Sequence, residues 1–146
     1  MAADLAVLKK SAQAAHEAAT HTESKAEDQY DTRGLEASYL AGAQSKRVLE
    51  LEDLVALYRH VDVKAFAKTD PIASTACIEM VSDGKKHHYL MMPLGGGRQA
   101  QFDGKTIHVI TPQSPMGEAL LGKKVGDEIE VAIQRKLKEY EITAIW

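Results

Sequence analysis

Apolar residues recur along the first part of the chain with a helical period. Leu5, Leu8, Ala12, Ala15 and Ala19 fall at spacings of three and four, with Lys9, Lys10, Gln13 and Glu17 between them. That is the seam of a coiled coil, or the buried stripe of an ordinary amphipathic helix. The pattern stops between Thr20 and Tyr30. A second series then runs Tyr30, Gly34, Ala37, Ala41, Gln44, Val48, Leu51, Val55 and Tyr58, again alternating four and three. Ser24-Lys25-Ala26-Glu27 has the form of a capping box, so the second helix is expected to start near Lys25 and to run to about His60. Two such helices, over 3–20 and 25–60, make an antiparallel hairpin. Both seams turn to small residues near the break, so the pair should be thinnest there. At about 1.5 Å per residue the arms measure roughly 28 Å and 50 Å, which leaves Val48–Tyr58 to find a partner outside the first helix.

Beyond Asp70 the period changes. Ile72–Val81 and His87–Met92 read as strands around a Ser82-Asp83-Gly84 turn, and Thr106–Ile110 as a third. Ser114-Pro115 reads as an N-cap followed by proline at the first helical position, opening a short helix over Pro115–Leu121 that Gly122 stops. Gly126-Asp127 turns the chain into Glu128–Ile133, and a hairpin through Gln134–Lys136 returns as Lys138–Ile145. The expected fold class is α+β: a helical hairpin over 1–61, a linker over 62–70, and an antiparallel sheet domain with one short helix over 71–146. The Thr69-Asp70-Pro71 step ends the linker, because the residue before proline is pushed out of helix.

Composition sharpens this division. Residues 1–61 have no proline, two glycines (Gly34 and Gly42) and many alanines; all four prolines and the other eight glycines follow Asp70. The chain of 146 residues is 45% hydrophobic, enough for a packed core. No apolar run is long enough for a spanning helix, and MAADLAVLKK has no secretory pattern, so a soluble cytoplasmic protein without membrane contact is expected. Cys77 is the one cysteine, which rules out an internal disulfide and a cysteine-based zinc site.

Charge supplies the first functional hint. The 18 basic and 21 acidic residues leave a net −3, too little positive charge to hold nucleic acid by bulk electrostatics. The excess is concentrated: Glu23, Glu27, Asp28, Asp31 and Glu36 stand near only Lys25 and Arg33, at the expected tip of the hairpin. Helix-dipole complementarity accounts for Glu27 and Asp28. It accounts less well for Glu23 and Asp31, and clustered carboxylates also suit a hard cation such as Mg²⁺.

Other chemistry is sparse. His87 and His88 point to opposite faces of one strand and cannot serve one metal. His16 and His21 lack His-Glu-x-x-His spacing, Gly95-Gly96-Gly97 lacks the Lys-Ser/Thr of a phosphate loop, and Cys77 has no partner in the sequence. The second part of the chain reads as a binding or docking module.

The run Ser114-Pro115-Met116-Gly117-Glu118-Ala119-Leu120-Leu121-Gly122-Lys123-Lys124-Val125-Gly126-Asp127 resembles the signature of the Gre transcription elongation factors. That pattern is Ser-Pro-x-Gly-x-Ala-Leu-Leu-Gly-x-x-x-Gly-Asp, followed by an apolar strand. In the family this run belongs to an FKBP-like domain that follows a helical hairpin, the same order as here. The resemblance implies a monomeric factor that docks on bacterial RNA polymerase near its secondary channel. The docking motif would be Ser114, Pro115, Gly117, Ala119, Leu120, Leu121, Gly122, Gly126 and Asp127. It implies no activity of the chain alone. The hairpin tip would instead reach the RNA 3′ end of a backtracked complex and help the polymerase hold a second Mg²⁺ for cleavage.

The tip departs from the family pattern Asp-x-x-Glu-Asn-x-Glu-Tyr. Here Ser24-Lys25-Ala26-Glu27-Asp28-Gln29-Tyr30 is one residue shorter before the tyrosine, with Ser24 on the family Asp and Glu27 on the family Glu. The second carboxylate then falls to Asp28 or Glu23, and the first helix is shorter than is usual in the family. Two readings follow: a cleavage cofactor, or a secondary-channel regulator without metal chemistry. A prolyl isomerase, suggested by the FKBP-like fold, lacks the aromatic lining that its pocket needs, because the second domain offers only Tyr89, Phe102, Tyr140 and Trp146.

Overall fold

The structure is a computed structural model that describes residues 2–20, 33–133 and 135–146. It divides into two compact units, 1–61 and 62–146. In the first unit, α1 covers Ala2–Thr20 and α2 covers Arg33–His60. The expected capping box and the start of the second helix near Lys25 lie outside the described residues.

The two helices pack through the seams read from the sequence. Ala12 and Ala41 are buried, and Leu5, Leu8, Ala15, Ala19, Ala37, Gln44 and Val48 are half-buried among exposed neighbours. The relative register differs from expectation. Arms closing through Thr20–Ser24 would set Lys9 roughly level with Leu35, but the Lys9 ammonium instead lies 2.6 Å from the Glu52 carboxylate. The Ser11 hydroxyl donates to Gln44 Oε1 at 3.4 Å, which fixes the antiparallel sense. The first helix therefore runs beside most of α2, and Val48–Tyr58 has its partner within the hairpin. Leu51 and Leu54 are both buried there; Leu54, absent from the expected seam, widens the apolar face where leucines replace alanines.

The second unit holds one six-stranded sheet and a short helix. The strands are β1 (Cys77–Ser82), β2 (Lys85–Met91), β3 (Gln99–Phe102), β4 (Lys105–Ile110), β5 (Glu128–Ile133) and β6 (Lys136–Ile145), with α3 (Pro115–Leu120) between β4 and β5. Their order is β3-β4-β2-β1-β6-β5. Neighbours are antiparallel except for β2 and β4, which run parallel, with Leu90 beside Val109. The crossover from β2 to β4 passes through the β3 edge.

Two hairpins are closed by Asp-Gly pairs. Asp83 and Gly84 have φ of 50° and 69°, and Asp103 and Gly104 have 49° and 70°. Positive φ at both central residues is the type I′ turn, whose twist matches that of the flanking strands. The second turn brings in β3, a strand not expected from the sequence; its four residues are all exposed at the sheet edge and carry no apolar alternation.

The first strand starts later than expected. Ile72 is buried but bonds to the segment after α3: its amide donates to Lys123 O, and Gly122 N donates to Ile72 O, both at 2.8 Å. Thr75 then takes a φ of 74°, a conformation that no β-branched residue adopts inside a strand, and pairing of β1 starts at Cys77. The stretch 62–70, expected to be a linker, is built into this unit. Phe66 packs on the core, and Asp70 Oδ2 accepts from Ala67 N at 2.9 Å.

The core lies on one face of the sheet. Ile78, Met80, Met91, Ile110, Ile129, Val131, Tyr140 and Ile142 meet Met116 and Leu120 of α3 there. On β1 the burial alternates strictly, with Ile78, Met80 and Ser82 buried, so Cys77, Glu79 and Val81 occupy the opposite face.

Candidate functional site

The run Ser114–Asp127 is placed by a set of local constraints that explain most of its residues. Ser114 caps α3: its hydroxyl donates to Thr111 O at 2.7 Å and accepts from Gly117 N at 3.1 Å. Pro115 takes the first helical position, where its missing N–H costs nothing. Gly117 faces the preceding loop, and a β-carbon there would overlap the Thr111 carbonyl. Ala119 packs against the core and Leu120 is fully buried in it. Gly122 turns the chain at φ 79°, and Gly126 does so at 90°. The Asp127 carboxylate accepts from Lys124 N at 2.8 Å, closing the turn into β5.

The residues of the motif that remain available to a partner are thus few. Pro115, Glu118 and Leu121 stand one helical turn apart and are exposed together, Leu121 at 51%. Exposed Lys123 and Lys124 continue this edge. Ser114, Gly117, Leu120 and Asp127 build the surface, whereas Pro115 and Leu121 present it. The arrangement holds no nucleophile–base pair, and among the described residues no group of three His, Cys, Asp or Glu side chains could hold a metal ion.

The proposed tip ligands Glu23, Glu27 and Asp28 lie outside the described residues. The described acids that flank them are Glu17 of α1 and Glu36 in the first turn of α2.

The opposite face of the sheet carries a polar network that the sequence analysis did not single out. Glu79 Oε1 accepts from Lys86 Nζ at 3.0 Å and lies 3.0 Å from the Thr143 hydroxyl. Its Oε2 is 3.2 Å from Nε2 of His88, which must donate, since an ionised carboxylate only accepts. The Lys86 bond above all, with those from Thr143 and His88, holds the Glu79 carboxyl below the ordinary carboxylate range. The pattern was legible only in retrospect: Glu79 and His88 sit directly opposite each other in the β1–β2 register. Thr143 is the extra residue where the β1–β6 register shifts, between the pairs Glu79–Ala144 and Met80–Ile142.

His87 points the other way, as the strand alternation requires, and meets the edge of the Tyr140 ring at 5.6 Å. Burial, with Lys138 and His108 nearby, lowers its pKa. Tyr89, beside it, is pushed up to about 12 by burial and by Tyr140. Burial also raises the Cys77 thiol, so it is not an activated nucleophile. These groups are packing and sheet-face residues.

A hairpin unit joined to a mixed sheet whose short helix carries the Ser-Pro-x-Gly signature defines the class. Residues 71–146 match the family model described as "Transcription elongation factor, GreA/GreB, C-term", and the chain belongs to that family. Curated relatives agree along the chain. "Transcription elongation factor GreA" of Syntrophus aciditrophicus is 29% identical over 116 residues, 75% of this chain and 68% of that protein. The protein of the same name from Agrobacterium fabrum is 34% identical over 101 residues, 68% of this chain and 60% of that one. Among solved structures, "GreA factor homolog 1 (Gfh1) protein of Thermus thermophilus" overlays with a TM-score of 0.42 at 25% identity, covering 98% of this chain and 90% of that one.

Proposed function

We propose that this chain binds bacterial RNA polymerase at its secondary channel and stimulates the polymerase's own cleavage of backtracked RNA. The observation that carries this reading is the family match over 71–146, combined with a helical hairpin that precedes it and a cluster of carboxylates between the two helices. In this reading the second unit docks through the exposed edge of α3, Pro115 and Leu121 foremost. The 21–32 segment reaches the RNA 3′ end, where Glu27 with Asp28 or Glu23 completes a Mg²⁺ site shared with the polymerase. That shared ion supplies the second metal of a two-metal phosphoryl displacement. The factor has no nuclease activity alone, acts as a monomer in the complex, and holds no metal stably by itself.

A second reading is favoured by one specific feature. Ser24 stands where the family has Asp, and the Glu27–Tyr30 spacing is one residue short. A tip with one fewer ligand would leave channel binding intact without supporting metal chemistry, giving a regulator that does not stimulate cleavage. Stalled elongation complexes with a labelled RNA 3′ end separate the two. Shortening of the transcript on adding the chain supports the cofactor; occupancy of the polymerase without shortening selects the regulator.

A further inference from the structure

The Glu79 network stands beside a cavity of about 390 Å³ on the face of the sheet opposite the core. That volume falls within the roughly 300–1,000 Å³ of sites that take small molecules. Neighbouring strands place its residues on one face. Cys77 is two residues from Glu79 on β1, Glu79 stands opposite His88, and His88 lies beside Ile107 of β4. Cys77, His88 and Ile107 therefore make the floor. An aromatic ring rises on each flank. Phe102 stands on β3, paired with Lys105 of β4. Trp146 exchanges backbone hydrogen bonds of 2.8 and 3.0 Å with Cys77. The two rings are 71% and 47% exposed. Asp103 and Lys105 complete the rim.

His88 gives the floor its polarity. It is 7% exposed, and its Nε2 donates to Glu79. In the neutral ring the other nitrogen, Nδ1, is then an acceptor only. No described group bonds to Nδ1, yet among the described residues no buried polar side-chain atom lacks a partner. Nδ1 must therefore meet open space, which is the cavity that His88 lines. Set between Cys77 and Ile107, this acceptor selects a ring that carries an N–H or O–H donor. The rim offers one charge of each sign, and among the described residues neither Asp103 nor Lys105 is held in an ion pair. Lys105 is two residues along β4 from the neighbour of His88, so their backbones are about 8 Å apart, from about 3.3 Å per residue and about 4.8 Å between strands. That is the reach of an aromatic side chain together with its backbone atoms.

We propose that this cavity binds a free aromatic α-amino acid whose ring carries a donor, with tyrosine as the probe. The ring lies between Phe102 and Trp146, in contacts that aromatic pairs favour. Its hydroxyl donates to His88 Nδ1, its carboxylate meets Lys105, and its ammonium meets Asp103. A zwitterion answers both rim charges, which an aromatic acid or amine alone does not. The site does not rest on the polymerase reading.

The test is an NMR titration of the isotope-labelled full chain with L-tyrosine. Saturable shifts are expected at the Cys77, His88 and Ile107 amides and at the Trp146 indole. L-Phenylalanine, which lacks the ring donor, and tyramine, which lacks the carboxylate, should bind at least about tenfold more weakly. Asp103 and Lys105 are exposed, so exchanging them spares the fold. Lys105→Gln should weaken L-tyrosine about tenfold and leave tyramine unchanged, because only the carboxylate is lost to it. Asp103→Asn keeps a residue that tolerates the φ of 49° and should weaken both ligands. Absence of saturable shifts up to the solubility limit of L-tyrosine overturns the proposal. So do shifts confined to other residues, equal affinity for L-phenylalanine, or an equal effect of Lys105→Gln on L-tyrosine and tyramine.

Discussion

Gly117 lies directly under the carbonyl group of Thr111, so close that a β-carbon would overlap the oxygen and stand 2.8 Å from the carbonyl carbon. The carbonyl has little freedom to withdraw, because its oxygen already accepts from the Ser114 amide at 2.9 Å and from the Ser114 hydroxyl at 2.7 Å. Gly117→Ala is therefore an overpacking substitution between two backbone segments, expected to cost about 1–3 kcal/mol. Fluorescence of Trp146, the single tryptophan, reports unfolding of the second unit in denaturant. A midpoint unchanged by Gly117→Ala would show that the loop gives way freely.

That contact also shows what the sequence could and could not disclose. The Ser114-Pro115 start of α3, the glycine stop at Gly122 and the opposite facing of His87 and His88 are local effects of capping and strand alternation, and each was legible. So was the burial of the small seam residues Ala12 and Ala41, which follows from a helical period. The register of α1 on α2 was not, because alanine seams fit one another at many offsets and the Lys9–Glu52 pair is a tertiary choice. β3 was missed for a different reason: an exposed edge strand needs no apolar alternation, and only Asp103-Gly104 marked it. The Glu79 network depends on a bulge at Thr143 and on cross-strand register, neither of which has a sequence period.

The boundary between the units sets a prediction about the smallest binding fragment. A chain of residues 62–146 should fold and retain polymerase binding, because it keeps Phe66 on the core and the Asp70–Ala67 bond. A chain of residues 71–146 loses both, and should unfold at distinctly lower denaturant; loss of a buried aromatic contact typically costs about 3–5 kcal/mol, less here because Phe66 is only partly covered. Equal midpoints for the two fragments would mean that 62–70 contributes nothing. Absence of polymerase binding by a folded 62–146 fragment would place docking elsewhere.

Acid should weaken the second unit in two separate windows. The His87 pKa is lowered in the folded chain, so the unfolded chain binds the proton first; stability is full above the ordinary value of 6.5 and declines as pH falls below it toward the folded value. Glu79, also lowered, contributes fully above its ordinary value of 4.5, and that contribution is lost as pH falls through the folded value. Denaturant midpoints read by Trp146 fluorescence should therefore fall first below about pH 6.5 and again below about pH 4.5. His87→Gln should flatten the upper window only, and Glu79→Gln the lower one only. A profile unaltered by either substitution would mean that neither group is linked to folding.

Glu27 provides the sharpest test of the proposed function. It aligns with the family's tip glutamate, while Asp28 is adjacent and Glu23 lies four residues earlier. Carboxylates that share a Mg²⁺ must bring their oxygens to about 2.0–2.1 Å from it, and the ion keeps several waters or phosphate oxygens besides. On the proposed reading, removing one such ligand acts on the transition state of cleavage and not on docking, which that reading assigns to the second unit. Glu27→Ala should thus abolish stimulated cleavage in stalled complexes and leave the affinity for polymerase nearly unchanged. Higher Mg²⁺ should restore part of the rate, because the lost ligand weakens metal binding without changing the remaining donors. Asp28→Ala and Glu23→Ala then identify the second carboxylate by the larger loss. Full cleavage with Glu27→Ala, or no stimulation by the parent chain, would reject the cofactor and leave the channel regulator as the function.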